Sequence, residues 1–292
     1  MKICTLCPRM CAVDRKSGER GICGQTTEIK VARAALHFWE EPCISGEMGS
    51  GAVFFSGCAL HCVFCQNENI ANGTAGKVIS TERLGKIFLE LQEKGANNIN
   101  LVTPGQFVPQ IIKAVELARN QNLKIPIVYN TSSYENVDTI RSLEGIVDIY
   151  LPDFKYFDTA LSAKYSHAPD YPAVAKAVIA EMVRQTGAAV FENGEDSLMK
   201  RGTILPGCTK DSKAVLKYLH ETYENQIYIS IMHQFTPLSN MKKYPELNRK
   251  ITDREYDDVV DFAIDIGIEN GFIQEGETAE ESFIPEFDNE GV

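Results

Sequence analysis

The stretch Ala52-Val53-Phe54-Phe55-Ser56-Gly57-Cys58-Ala59-Leu60-His61-Cys62-Val63-Phe64-Cys65 decides the fold. Its first half is a short apolar, β-branched and aromatic run that reads as a buried strand, ended by Gly57. Its second half is C-x3-C-x2-C, three thiols placed directly where that strand stops. Soft sulfur ligands so close together select an iron–sulfur cluster or zinc over hard cations. A cubane cluster takes four ligands. Three from the protein leave one iron open, and an open coordination position is what separates a catalytic metal site from a closed structural one.

Downstream of this segment, apolar runs alternate with helical periodicity, the pattern of βα units on a parallel sheet. Strands are expected at 52–56, 98–102, 125–129, 146–151, 199–205 and 227–232. Between them, Leu84, Ile87, Phe88 and Leu91 define one helix face, stopped by Gly95. Val108, Ile111, Ile112 and Val115 define a second, and Val137, Ile140 and Leu143 a third, short one closed by Gly145. A helix over 171–185 carries Pro172 in its first turn and ends before Gly187. Another, from about Ser212, buries Val215, Leu216 and Leu219, and Thr252-Asp253-Arg254-Glu255 is a capping box opening the last. Residues 234–250 read as one long loop. Six parallel strands fit either a doubly wound sheet or an incomplete barrel, and periodicity does not choose between them.

A chain of 292 residues has room for one sizeable core and a small appendage. The organisation read from it is a Cys-rich extension over residues 1–50 and a core over residues 51–292. The net charge of −11 is uneven: 29 basic residues face 27 acidic ones up to Arg254, and the other 13 acidic residues follow it. The acidity therefore belongs to the last helix and the tail. A broad nucleic-acid-binding face is not expected. No apolar run spans a bilayer and no signal-peptide pattern opens the chain, so a soluble, cytoplasmic protein without a membrane partner is expected. Eight of nine cysteines fall within the first 65 residues. In a chain of this size, such clustering reads first as metal ligation rather than as a disulfide framework.

C-x3-C-x2-C at the end of the first strand resembles the signature of the radical S-adenosylmethionine (SAM) superfamily. Cys4-x2-Cys7-Pro8-Arg9, Trp39-Glu40-Glu41-Pro42, Ser56-Gly57-Cys58, Cys65-Gln66-Asn67, Asp153-Phe154-Lys155 and Phe283-Ile284-Pro285 resemble the PflX-like group, related to pyruvate formate-lyase activating enzymes. The resemblance implies an α/β fold, a partial (β/α)6 barrel of TIM type, with a [4Fe–4S] cluster on Cys58, Cys62 and Cys65 at its C-terminal mouth. It also implies SAM on the open iron, reductively cleaved to a 5′-deoxyadenosyl radical that abstracts a hydrogen atom. A flavodoxin- or ferredoxin-type electron donor belongs to the same expectation. The substrate implied is a glycyl radical enzyme or another protein or peptide. A small molecule or nucleotide is the alternative within the superfamily, and a non-catalytic iron–sulfur electron carrier is the alternative outside it.

The same resemblance nominates the residues around SAM. Where the family carries Gly-Gly-Glu after the second strand, this chain reads Thr103-Pro104-Gly105-Gln106, so main-chain carbonyls or the Thr103 hydroxyl are left to accept from the SAM ammonium. Asn130, Thr131 and Ser132, after the third strand, offer bonds to ribose hydroxyls or the methionine carboxylate. A plain helix cap is the competing reading of this segment. Asp153 and Lys155 resemble the Asp-x-Lys element of the activating enzymes, and alternation sends both side chains to one face if the strand continues there. Arg201 resembles the arginine before a Pro-Gly turn and is positioned to pair with a carboxylate. His233 and Gln234 follow the sixth strand and are placed to orient substrate. His61 falls at a variable position of the cluster loop and receives no ligand role.

Cys4, Cys7, Cys11 and Cys23 form a second set, C-x2-C-x3-C-x11-C, among few large apolar residues. Four thiolates match a closed structural zinc site and equally an auxiliary [4Fe–4S] cluster, either of which would staple this segment. Cys43 and Cys208 read as small buried residues.

Overall fold

The computed structural model describes residues 3–189, 199–233, 235–238, 241–274 and 285–292, with the backbone alone over 199–203. In chain order the elements are β1 (Ile29–His37), α1 (Pro42–Ser45), β2 (Ser50–Phe55), α2 (Glu68–Ala71), β3 (Lys77–Ile79), α3 (Thr81–Glu93), β4 (Ile99–Val102) and α4 (Val108–Arg119). They continue with β5 (Ile127–Thr131), α5 (Val137–Arg141), β6 (Ile149–Pro152), α6 (Thr159–Ser166), α7 (Tyr171–Thr186), β7 (Met199–Thr203), α8 (Thr209–Tyr223), β8 (Tyr228–Met232), α9 (Asp253–Asp265) and β9 (Gly271–Ile273).

Strands β2, β4, β5 and β6 pair in parallel, as do β7, β8 and β9, and β6 lies beside β7 without ladder hydrogen bonds. The six βα strands form the expected partial barrel. Residues of β2, β4, β5 and β6 are buried on both faces, which is why these strands read as continuous apolar runs rather than as alternation. Leu84, Ile87, Phe88 and Leu91 of α3 and Val108, Ile111 and Val115 of α4 are buried against the sheet as their spacing predicts. Thr252 and Glu255 form the capping box at α9.

Several elements carried no sequence signal. β1 lies antiparallel along β2, and β3 lies antiparallel along β1, so the 1–50 extension and the 51–292 core share one sheet. The chain end covers this edge: Ala34 N donates to Glu290 O at 2.8 Å, Asn289 N donates to Ala32 O at 3.0 Å, and Arg33 pairs with Asp288 and Glu290. Part of the acidic tail is thus consumed in holding an edge strand that would otherwise stand open. Helix α6 has no apolar stripe and is held instead by the Asp158 carboxylate, which accepts from Ala160 N at 2.6 Å. Strands β5 and β6 start two or three residues later than expected and run on through Asn130-Thr131 and Pro152, because polar residues there still join the ladder. The long loop contains short 3-10 turns at Met241–Lys243 and Pro245–Leu247. No helix among the described residues is long and apolar enough to cross a membrane.

Gly51 fixes how closely β2 approaches its neighbour. A Cβ built there meets the Asn98 carbonyl oxygen at 2.7 Å, a backbone atom that cannot turn aside. Gly51→Ala is expected to push β2 outward and destabilise the fold by about 1–3 kcal/mol, read as a lowered urea midpoint with the circular dichroism of the native baseline preserved.

Candidate active site

At the C-terminal ends of β2, β4, β5 and β6 lies an open cavity of about 280 Å³ whose lining includes Cys58, Cys62, Cys65, Asp153 and Lys155. The cysteine loop has no regular structure of its own, and its shape is imposed by neighbours. Gly57 holds φ +89°, and a Cβ on it would strike Gln25 Cγ at 2.5 Å and Cys23 O at 2.6 Å, so the strand can end there only on glycine. Gln106 Nε2 donates to Ser56 O at 2.9 Å and Gly57 O at 3.0 Å. The Arg9 guanidinium donates to Ala59 O, Leu60 O, Ser166 O and His167 O, binding the loop to the end of α6. His61 turns away from the cavity and meets Ile22 O through Nε2 at 2.8 Å.

The donor chemistry fits an iron–sulfur cluster. Burial pushes the Cys62 thiol up to about 11, partly offset by the Lys155 ammonium, and burial with the neighbouring Cys62 and Cys58 pushes Cys65 up to about 12. Without a cationic guest these groups would stay protonated; with one they become ligands. Ser166 Oγ donates to Cys62 Sγ at 3.1 Å and Leu60 N to Cys58 Sγ at 3.4 Å, bonds suited to sulfur carrying negative charge. Among the described residues, no three or more His, Cys, Asp and Glu side chains close on a single-ion position. A cubane, which offers each thiolate its own corner, is the body this spacing suits.

Part of the lining is polar. Thr103, Asn130, Thr131, Ser132, Asp153 and Lys155 all line the cavity. Lys155 Nζ donates to Asp153 Oδ2 at 2.6 Å, and both side chains are less than a fifth exposed. Burial alone would pull the Lys155 ammonium down, but the Asp153 carboxylate and the Cys62 sulfur hold it well above its ordinary value. Thr103 sits at φ +55°, a costly conformation for a β-branched residue, held by Thr103 N donating to Asn130 O and Gln106 Nε2 donating to Thr103 O.

Other nominated residues lie elsewhere. Pro104 lines no part of this cavity, and Gly105 faces a smaller neighbouring one. His233 is absent from the lining; its ring stacks on Tyr256 of α9 at 4.4 Å. The Arg201 side chain and Gln234 lie outside the described residues, as do Phe283 and Ile284.

The structure also brings in residues that had no role in the sequence. Tyr171, on α7, shares its hydroxyl proton between Ser132 O and Asp153 O and accepts from Lys155 N, pinning two loops with one buried group. Glu135 is wedged against Gly105, its Oε1 accepting from Tyr129 and Thr131 hydroxyls at 3.0 and 2.7 Å. Burial pushes this carboxyl up to about 7. An acid therefore does stand beside the 103–106 turn, supplied from the next loop. Trp39 and Glu40 line the first cavity, and Glu41 is buried close to Asp153. The Trp39-Glu40-Glu41 run was visible as a motif; its place at the cavity that holds the thiols was not.

Residues 52–180 match the radical SAM superfamily. The chain is 25% identical to the uncharacterized protein MJ0674 of Methanocaldococcus jannaschii over 273 residues, covering 90% of this chain and 74% of that protein. Among solved structures, HydG, a maturase of the [FeFe]-hydrogenase, matches with a TM-score of 0.50 at 15% identity over 78% of this chain and 52% of its own. Streptococcus suis SuiB, bound to its precursor peptide SuiA, matches with a TM-score of 0.47 at 12% identity, over 76% of this chain and 47% of its own. The chain thus spans about half the length of these two solved structures.

Glu41 generates a pH dependence. Burial first, and the Asp153 charge with it, push its carboxyl up to about 7, against the pull of a backbone hydrogen bond and of Ser230. A raised native value means the folded state holds the proton more tightly than the unfolded chain, so stability is full below pH ~4.5 and falls as pH rises towards about 7. At 1.4 kcal/mol per unit the loss amounts to about 3 kcal/mol. In urea unfolding between pH 4.5 and 8, Glu41→Gln is expected to flatten this decline; an identical pH slope in the variant rejects the assignment.

Proposed function

From the match of residues 52–180 to the radical SAM superfamily we propose that the chain is a radical SAM enzyme, activase-like and acting on a protein or peptide. This reading sets aside the non-catalytic electron carrier. When bound, the [4Fe–4S] cluster and SAM supply one-electron cleavage of the sulfonium and a carbon radical that abstracts hydrogen. The chain's own residues hold, orient and exclude. Cys58, Cys62 and Cys65 are the cluster ligands. Thr103, Asn130 and Ser132 offer hydroxyl, amide and carbonyl groups to the polar end of SAM, and Asp153 with Lys155 presents one acceptor and one cation for its ammonium and carboxylate. Leu60, Phe64 and Phe235 form an apolar flank that keeps water from the reacting end.

The observation that carries the choice of substrate is the size and rim of the cavity. A volume of about 280 Å³ is at the low end for a single small ligand. With SAM in place, little enclosed space is left for a second molecule. The substrate must then approach from the open side, where Trp39 lines the mouth and is 58% exposed, next to Phe38, 52% exposed. Exposed aromatic side chains at a mouth favour docking of a polypeptide that inserts one residue. The electron donor fitting this reading is a flavodoxin- or ferredoxin-type protein.

The test uses reconstituted enzyme under anaerobic conditions with SAM and dithionite, mixed with a uniformly deuterated cell extract separated into macromolecules and low-mass filtrate. Deuterium in 5′-deoxyadenosine from the macromolecular fraction, lost after trypsin treatment, supports the proposal. Transfer from the filtrate alone overturns it. Cys58→Ala, Cys62→Ala and Cys65→Ala are each expected to abolish 5′-deoxyadenosine formation, since removing a thiolate leaves an iron without its ligand. Asp153→Ala and Lys155→Ala are expected to keep the cluster while weakening SAM by roughly 1.5–3 kcal/mol, or about tenfold to more than a hundredfold, measured by equilibrium dialysis.

A further inference from the structure

Beside the first cavity lies a second, smaller one, lined by Cys4, Cys7 and Cys23 on one side and by Cys58, Ala59 and Glu135 on the other. The N-terminal segment that forms it is shaped around its sulfurs rather than around an apolar core. Cys4 N donates to Val13 O and Ala12 N donates to Cys4 O, folding the segment back on itself, while Met10 N donates to Cys7 O. Ile22 N donates to Cys11 Sγ at 3.3 Å, and Gly21 packs so closely that a Cβ there would lie 2.8 Å from the same sulfur. Cys4, Cys7 and Cys23 share one cavity lining, and the Gly21 contact holds Cys11 against the chain two residues before Cys23.

Two further features point to a guest in this cavity. Glu135 is only 5% exposed, and its Oε2 has no hydrogen-bond partner although Oε1 has two. A buried, unpartnered carboxylate oxygen facing a sulfur-lined cavity requires a partner from whatever fills it. Arg15, also buried, reaches the same cavity and donates to the Gln25, Thr26 and Gln106 carbonyls. All three acceptors are neutral carbonyls, so the buried guanidinium brings a positive charge next to the thiols. A sulfur-rich metal centre accepts a hydrogen bond from Glu135 in its acid form and sets negative charge beside Arg15.

We propose that Cys4, Cys7, Cys11 and Cys23 hold a second [4Fe–4S] cluster, fully ligated by the protein and seated against the Cys58 end of the first site. A lone zinc ion needs its four thiolates within about 2.3 Å of one point, whereas Cys4, Cys7 and Cys23 line the cavity and Cys11 Sγ stands against Gly21 instead. A cubane takes one thiolate at each corner and tolerates the wider arrangement. Placement argues the same way. The Cys23 carbonyl lies where a Cβ of Gly57 would be, and Cys58 lines both cavities, so the second site adjoins the first without sharing a ligand. With four protein ligands it has no open iron and offers no second position for SAM.

The experiment is metal and sulfide analysis with Mössbauer and EPR spectroscopy on the full chain, purified and reconstituted anaerobically. Wild type is expected to carry about eight irons and about eight sulfides, two cubanes of four. The Cys58→Ala/Cys62→Ala/Cys65→Ala variant is expected to keep about four, in a reducible cluster whose EPR signal does not change on adding SAM. Because that variant leaves the N-terminal segment intact, it carries the test even if Cys4→Ala/Cys7→Ala fails to fold. A triple variant without iron, or wild type holding one cubane and one zinc, overturns the proposal. Neither outcome touches the polypeptide reading, which rests on the deuterium experiment.

Discussion

The Arg9 guanidinium carries four donated hydrogen bonds, to Ala59 and Leu60 in the cysteine loop and to Ser166 and His167 at the end of α6. A loop that presents three thiols at a barrel mouth cannot also pair its backbone as strand or helix, so its carbonyls need donors from elsewhere. Arginine suits this task because it has five N–H donors in a fixed fork and no acceptor of its own. The same residue lies between Cys7 and Cys11, which ties the geometry of the N-terminal thiols to that of the Cys58–Cys65 loop. Arg15 repeats the device one turn further on, reaching the 103–106 loop through Gln106 O at 2.8 Å. The N-terminal segment is therefore a brace for the site as well as a candidate metal binder.

The cavity behind that brace is electrostatically balanced around Lys155. Its ammonium faces Asp153 at 2.6 Å and the charge of Cys62, and Tyr171 fixes the backbone on either side. A buried ion pair is weak support for stability, because desolvation consumes most of the attraction. Its worth here is positional: a cation and an anion at known points in the cavity that holds the three thiols. The stability that offsets this comes from the aromatic packing around it, with Tyr171 at 5.5 Å from Tyr156 and 6.4 Å from Phe154, and Phe64 at 6.0 Å from Phe235. These rings also supply the apolar flank of the cavity, so one set of side chains both stabilises the barrel and dries its mouth.

How much of the site was legible follows from how each residue earns its place. That Cys58, Cys62 and Cys65 would share one cavity was legible because C-x3-C-x2-C sets all three on one loop. Asp153 and Lys155 were legible for the same reason, two residues apart at a strand end. His233 was read into the mouth from its position after β8, yet its ring stacks on Tyr256 in a helix that sequence periodicity could not orient. Glu135 was passed over because nothing local marks it. Its importance arises only when β4 and β5 bring Gly105 and the 131–135 loop together, and a missing Cβ at position 105 is what lets the carboxylate in.

By itself the sequence determined the parallel βα order, the helix faces that pack on it, the capping box of α9 and the two cysteine sets, since each is a local pattern set by backbone period or ligand spacing. The tertiary structure alone decided that β1 and the acidic chain end close the edge beside β2, that Trp39 and Glu40 share a cavity with the thiols, and that the two sulfur-lined cavities meet at Cys58. The division has a physical cause. Periodicity and spacing are written along the chain, whereas the fit of one loop against another depends on packing in which a single glycine, an arginine fork or a tyrosine hydroxyl joins residues far apart in sequence.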